Sequence, residues 1–166
     1  MRRIISIAFL ALMLAASANA QSNLKKVYDE EADPIAQISD AVKKAGKDGR
    51  YVICQVGGNW CRWCLMFAEF ITSDEEIKTL IDKEFEYIHV NYNPRQPKNE
   101  TTVRMLERLG NPERFGFPVL VVLDNNGKVI HTQDSSFLEE GNGYDKKKVM
   151  RFFSNWTPEA VSPSSK

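Results

Sequence analysis

Trp60-Cys61-Arg62-Trp63-Cys64 is the stretch on which the reading of this chain turns. It stands between an apolar run, Tyr51-Val52-Ile53-Cys54-Gln55-Val56, and a helix-like segment, Leu65-Met66-Phe67-Ala68-Glu69-Phe70-Ile71. The run at 51–56 does not alternate, which is the pattern of a strand covered on both faces. The cysteines therefore fall where a strand gives way to a helix. Two cysteines separated by two residues at such a place form and break a disulfide with little backbone motion. The helix start adds unpaired N–H groups and a partial positive charge, both of which favour a thiolate. Thiol–disulfide exchange needs that geometry.

Working outward, Asp33-Pro34 reads as an N-cap followed by proline at the first helical position. Ile35, Ile38, Val42 and Ala45 mark one helical face, and Gly46 is expected to end it. Ser73 with Glu76 three residues on resembles a capping box that opens a helix through Ile77, Leu80 and Ile81. Glu86–Tyr92 is the next strand, and a polar loop from Asn93 to Asn99 leads to a helix carrying Val103, Leu106 and Leu109. Gly110-Asn111-Pro112 stops that helix. Pro118–Leu123 is a strand, Asp124-Asn125-Asn126-Gly127 a hairpin turn, and Lys128–Gln133 its antiparallel partner. A last helix, Asp145–Trp156, buries Val149, Phe152, Phe153 and Trp156. Long crossovers favour parallel pairing and the short turn forces antiparallel pairing. The expected fold is α/β, a mixed central sheet with helices on both faces.

The first twenty residues read as a secretory signal. Arg2 and Arg3 precede an apolar run from Ile4 to Ala16, and Ala18-Asn19-Ala20 fits a small-residue cleavage site. The run is short for a membrane span of about 20 residues. Residues 1–20 are therefore assigned to the signal, cleaved after Ala20, residues 21–156 to one domain, and 157–166 to a disordered tail. A periplasmic or otherwise exported location follows, without membrane insertion after signal removal. The whole chain holds 22 basic and 22 acidic side chains, and that balance argues against nucleic acid or anionic membrane as a main partner. Three cysteines are too few for a disulfide-stapled scaffold, so an exported chain with a close pair and one extra thiol reads as redox-active.

On these residues the chain resembles the thioredoxin superfamily. The resemblance rests on Trp60-Cys61-Arg62-Trp63-Cys64 after a buried strand, Gly116-Phe117-Pro118 before the hairpin, and Asp124-Asn125-Asn126-Gly127. It spans Ile35 to Trp156. Residues 63–81 are similar to exported thioredoxin-like domains, including the C-terminal domain of the bacterial transmembrane disulfide reductase. Those also lack the helix-kinking proline that thioredoxins would place at Glu69. Two departures stand out. Thioredoxins carry a buried aspartate six residues before the first active-site cysteine, where this chain has Gln55, and the inner pair is Arg62-Trp63 rather than Gly-Pro.

The resemblance implies roles. Cys61 is expected to be the nucleophile, exposed at the first helical turn beside Arg62, and Cys64 the core-facing resolving thiol of one redox-active disulfide. Pro118 is expected to be a cis-proline, with Phe117 offering backbone hydrogen bonds to an extended substrate. Trp60 either packs under the loop or lines the substrate surface, while Trp63 is expected to be exposed and to contact flexible clients together with Phe117. Gln55 can hydrogen-bond but cannot take the proton that the family's aspartate takes. Cys54 reads as an inert buried thiol and His131 as an ordinary strand residue. His89 is also read as a strand residue, with proton transfer as its alternative. Lys146-Lys147-Lys148 reads as a solvated helix face, and the acidic loop from Asp134 to Tyr144 as a partner surface without assigned chemistry.

The function that follows is an exported thiol–disulfide oxidoreductase, most simply a monomer acting on protein thiols and disulfides, reset by a redox partner and needing no cofactor or metal. Nothing resembles a Gly-x-Gly-x-x-Gly nucleotide loop. The competing reading is a non-catalytic thioredoxin-like module that binds a client protein or Cu(I), since copper(I) favours thiolates.

Overall fold

A computed structural model describes residues 24–162 of the chain; the expected signal segment and its cleavage site, and residues 163–166, lie outside it. Helix α1 (Pro34–Asp48) opens on the Asp33 side chain, which accepts the N–H groups of Ile35 and Ala36 at 2.8 and 3.1 Å. It does not end at Gly46. It runs on to Asp48, and Gly49 stops it with a φ of 69°, a left-handed conformation that glycine adopts without steric cost. Gly46 stays inside the helix, where an added Cβ would come 3.3 Å from the Asn125 carbonyl oxygen of the hairpin turn.

Strand β1 (Tyr51–Gly57) is buried along its whole length. It pairs in parallel with β2 (Phe85–Asn91) and antiparallel with β3 (Val119–Leu123), and β4 (Val129–Asp134) pairs antiparallel with β3. The sheet order is β2-β1-β3-β4, so β1 sits inside the mixed sheet that the connection lengths require. The β1–β2 crossover carries α2 (Arg62–Ser73) and α3 (Glu75–Glu84). Asp74, rather than Ser73, caps α3, accepting from Glu76 and Ile77 N–H. Ser73 is still the last residue of α2 and its hydroxyl bonds back to the Phe70 carbonyl, so it is not free to cap.

Helix α4 (Glu100–Arg108) follows β2 and buries Met105 and Leu106, while Val103 points outward at 39 % exposure, against the sequence expectation. After 3₁₀ turns at Pro112–Phe115 and Ser135–Leu138, a two-residue hairpin forms from β5 (Glu139–Glu140) and β6 (Gly143–Tyr144). Helix α5 (Lys146–Asn155) comes next. The expectation of disorder from Thr157 fails for the described part of that tail. Pro158–Val161 forms a short helix, α6, because Thr157 caps it and proline suits its first position; Val161 packs on the core.

Alternation along β1 feeds two separate cores. Val52, Cys54 and Val56 meet α1 and α4 through Ile38, Ala41, Ala45, Met105 and Leu106. Ile53 faces the other way, with Leu120 and Val122, toward α2, α3 and α5, where Phe67, Ile71, Ile77, Ile81 and Phe153 fill the space. Burying one such side chain contributes about 1.5–3 kcal/mol, so the C-terminal end of β1 is held from both faces. The candidate site grows from that end.

Candidate functional site

β1 stops at Gly57 and the chain turns, with Cys61 N–H donating to the Gly58 carbonyl at 3.0 Å. Cys61 is the N-cap of α2: its backbone is extended (φ −102°, ψ 106°) and its Sγ accepts the Cys64 N–H at 3.1 Å. The two sulfurs are joined in a disulfide, with Cα atoms 5.3 Å apart. The sequence expectation of an exposed Cys61 inside the first turn needs correction on both counts. It sits one position earlier, as the cap, and is only 8 % exposed, because Leu24, Val27, Trp60, Trp63 and Phe117 pack around the cysteines, Tyr28 and Leu65. Cys64 has no exposure at all. Any group arriving from outside therefore meets Cys61 first, at the helix end whose N–H groups stabilise negative charge.

Trp60 is half-buried. Its indole N–H donates to the Tyr92 carbonyl at 3.0 Å and its ring meets Phe117 edge to face at 5.4 Å, with the Arg95 guanidinium over the indole. It packs under the loop and keeps one side to solvent. Phe117 is half-buried beside the pair, Pro118 is buried, and the peptide bond between them is cis. Arg62 is exposed. Trp63 is half-buried rather than open: Tyr144, from the loop to which no chemistry was assigned, sits edge-on at 5.5 Å and donates its hydroxyl to the Trp63 carbonyl at 3.1 Å.

Behind Cys64 lies a polar cluster inside the apolar core. Gln55 is wholly buried, and its Nε2 donates to the Cys64 carbonyl at 2.9 Å and to the Tyr28 hydroxyl oxygen at 2.6 Å. The Tyr87 hydroxyl donates to Gln55 Oε1 at 2.6 Å. Because the Cys64 carbonyl can only accept, the amide has one possible orientation and every partner's role is fixed. Gln55 is thus a double donor where the family carries an acid. Burial pushes the Tyr28 and Tyr87 phenols above their ordinary range, so both stay neutral. His89, paired with Gln55 across β1 and β2, rests against both tyrosine rings at 5.2 and 5.5 Å. Its Nε2 is buried without a partner, and desolvation lowers its pKa from 6.5 to about 4, holding the ring neutral.

Tyr28 and Asn59 were absent from the sequence reading. Asn59 Oδ1 accepts the N–H groups of Val27 and Tyr28, both at 3.1 Å, and its Nδ2 donates to the Tyr28 carbonyl at 2.8 Å. One side chain next to the Trp-Cys motif thus clips an irregular N-terminal segment across the site. The only sequence signal was weak: an Asn in a loop and a Tyr-containing lead with no periodicity. Elsewhere, Cys54 is buried against the α1 face and its thiol is pushed up to about 12 by desolvation. His131 stacks on Trp156 at 4.2 Å. Lys146 is more than a solvated charge, since it reaches Asp74 at 2.9 Å and Glu76 at 2.8 Å and ties the starts of α3 and α5 together.

The fold and the bonded pair define a thioredoxin-like protein with a C-x-x-C disulfide at the start of its first crossover helix. The chain belongs to the family described as "Thioredox_DsbH: Protein of unknown function, DUF255", whose pattern it matches over residues 15–157. Among solved structures it is similar to a disulphide isomerase from Xylella fastidiosa Temecula1, with 23 % identity over 80 % of this chain and 97 % of that one and a TM-score of 0.67. It is also similar to a structure titled "DsbH Oxidoreductase", with 19 % identity over 82 % and 91 % of the two chains and a TM-score of 0.51. No curated protein matches it. At these identities the structures establish the fold that the two chains share with this one.

Proposed function

We propose that the protein is an exported thiol–disulfide oxidoreductase that exchanges disulfides with protein substrates through Cys61 and Cys64, in the reducing or isomerising direction. The observation that carries this is the asymmetry of the pair: one sulfur at a helix cap with a narrow opening to solvent, the other bonded to it and closed off. In the reducing direction Cys61 thiolate attacks a substrate disulfide, one substrate sulfur leaves as thiolate, and a mixed disulfide remains. Cys64 then loses its proton and attacks Cys61, expelling the second substrate sulfur and restoring the internal disulfide. Electrons move between sulfurs only, so neither metal nor organic cofactor takes part.

Client backbone lies along Gly116-Phe117 ahead of β3, where an extended segment gains main-chain hydrogen bonds with little sequence demand. Trp60, Phe117 and the exposed Arg62 frame the entrance. Beside Trp63, an apolar cleft of about 300 Å³ lined by Met66, Phe70 and Tyr144 receives a client's apolar side chain. Export rests on the Arg2-Arg3 and apolar run ahead of Ala20. Among the described residues no helix is long and apolar enough to cross a membrane.

Insulin reduction by dithiothreitol tests the reading. The wild type accelerates precipitation of the insulin B chain and Cys61→Ser falls to background; a wild type no faster than dithiothreitol alone sinks the proposal. Equilibration against glutathione with trapping of free thiols then gives the direction, since 30 mV of potential corresponds to about 1.4 kcal/mol for a two-electron couple.

A further inference from the structure

Gly57 is where the end of β1, the Cys64 sulfur and the N-terminal segment meet. A methyl group on its Cα would come within 2.5 Å of Cys64 Sγ and 2.9 Å of the Tyr28 hydroxyl oxygen. The sulfur and the hydroxyl therefore share one small space that only a glycine leaves open. The Tyr28 oxygen accepts a hydrogen bond from Gln55 Nε2. Among the described residues the hydroxyl donates no hydrogen bond of its own, and the sulfur that shares its space is engaged in the disulfide with Cys61. Tyr28 is buried at 5 % exposure and its backbone is held by two bonds to Asn59, with a third from the neighbouring Val27 N–H, so this placement does not depend on a loosely held chain end.

We infer that the Tyr28 hydroxyl donates a hydrogen bond to Cys64 Sγ whenever that sulfur carries negative charge, and that residues 24–28 are therefore part of the exchange site. The inference deepens the exchange reading and rests on it. Cys64 carries that charge once its proton has passed to solvent, before it attacks Cys61 and the charge moves on to the departing substrate sulfur. The same charge builds when an external thiolate attacks Cys61 and Cys64 departs. One donor serves both directions. Among the described residues the Tyr28 side chain meets Gln55 and the His89 ring, Gln55 in turn meets Tyr87, and no carboxylate takes part in these contacts. A neutral phenol thus stands beside the sulfur, held by Gln55, the amide that takes the position of the thioredoxin acid. It cannot take up the proton; it stabilises the thiolate left behind.

The test separates the two sulfurs with a chromogenic disulfide, dithiobis(nitrobenzoate), on the reduced full-length protein. Attack by Cys61 releases one thionitrobenzoate and leaves the other bonded to Cys61. Attack by Cys64 on Cys61 releases the second. A hydrogen bond to a charged group is strong enough that losing it in Tyr28→Phe lowers the thiolate fraction of Cys64 about tenfold at fixed pH. The more basic thiolate is the better nucleophile, so the second phase slows by a smaller factor, roughly threefold. The first phase stays unchanged. Ultraviolet thiolate absorbance in a Cys61→Ala background reads the Cys64 fraction independently of any exchange. Site-specific fluorotyrosine at position 28, a stronger donor of nearly the same shape, speeds the second phase. Equal slowing of both phases by Tyr28→Phe, or an unchanged second phase with unchanged Cys64 absorbance, overturns the inference. A wild type with no first phase would instead sink the exchange reading, and the absorbance measurement would still decide Tyr28.

Discussion

Cys54 and Cys64 are both wholly buried, yet the fold surrounds them with different company. Cys54 lies on the α1 face of β1 among Ile38, Val90 and Val121, and its thiol is driven far from ionisation. Its neighbour in sequence, Gln55, points the opposite way and supports Cys64 through the carbonyl of that residue, with two phenols gathered around the same amide. Depth is equal; hydrogen-bond donors and the helix start are not. On the proposed exchange role the contrast teaches that burial by itself keeps a thiol from ionising, and that a closed thiol is put to use where donors have been brought in with it.

The sharpest way to break this contrast is to remove each sulfur in turn. Cys64→Ser should abolish turnover and leave mixed disulfides with substrate that persist on non-reducing gels, whereas Cys54→Ala should leave insulin reduction unchanged. If Cys54→Ala also lost activity, the α1 face would no longer be silent.

Next in size is the response to acid on the Gln55 side. His89 has a folded pKa of about 4, below the ordinary 6.5, so the unfolded chain binds its proton first as pH falls. Its contribution is fully present above pH 6.5 and is lost toward pH 4, about 3 kcal/mol over that window. Urea unfolding at pH 7 and pH 4.5 should show a steeper loss for the wild type than for His89→Phe, and equal slopes would contradict a desolvated ring.

Gln55→Leu should cost about 2 kcal/mol in urea unfolding, since it strands two buried hydroxyls and a carbonyl bond. Gln55→Asp should not behave as a restored family acid, because a carboxylate cannot donate to the Cys64 carbonyl; slower, not faster, closure of the internal disulfide is expected in stopped-flow thiol release. The smallest effect belongs to Cys54→Ala again, now read as stability: about 1 kcal/mol for a small void in the α1 core.

The architecture was readable because its signals are local. Asp33-Pro34, the unbroken apolar run of β1, the Asn-Gly turn and the Val149/Phe152/Phe153 face each declare an element within a few residues. Errors came where two local signals compete. Gly46 and Gly49 both end helices in principle, and the contact with Asn125 that keeps the first one inside a helix is visible only in three dimensions. Ser73 and Asp74 are both caps by type; the preceding helix claims one. In the site, the cysteines, Trp60 and Phe117 were legible from spacing and resemblance. Tyr28 was not, because it lies on no regular element and meets Gln55 across a separation of 27 residues. Trp63 was expected to be open for the same reason: the Tyr144 that covers it arrives from 81 residues away.

The Asn59 clip has a consequence for protein engineering. Grafting the five-residue Trp-Cys motif onto a foreign scaffold would carry the sulfurs and leave behind the lead peptide that closes their rear wall. A faithful transplant needs the stretch from Leu24 to Tyr28 as a second piece, together with the asparagine that fastens it.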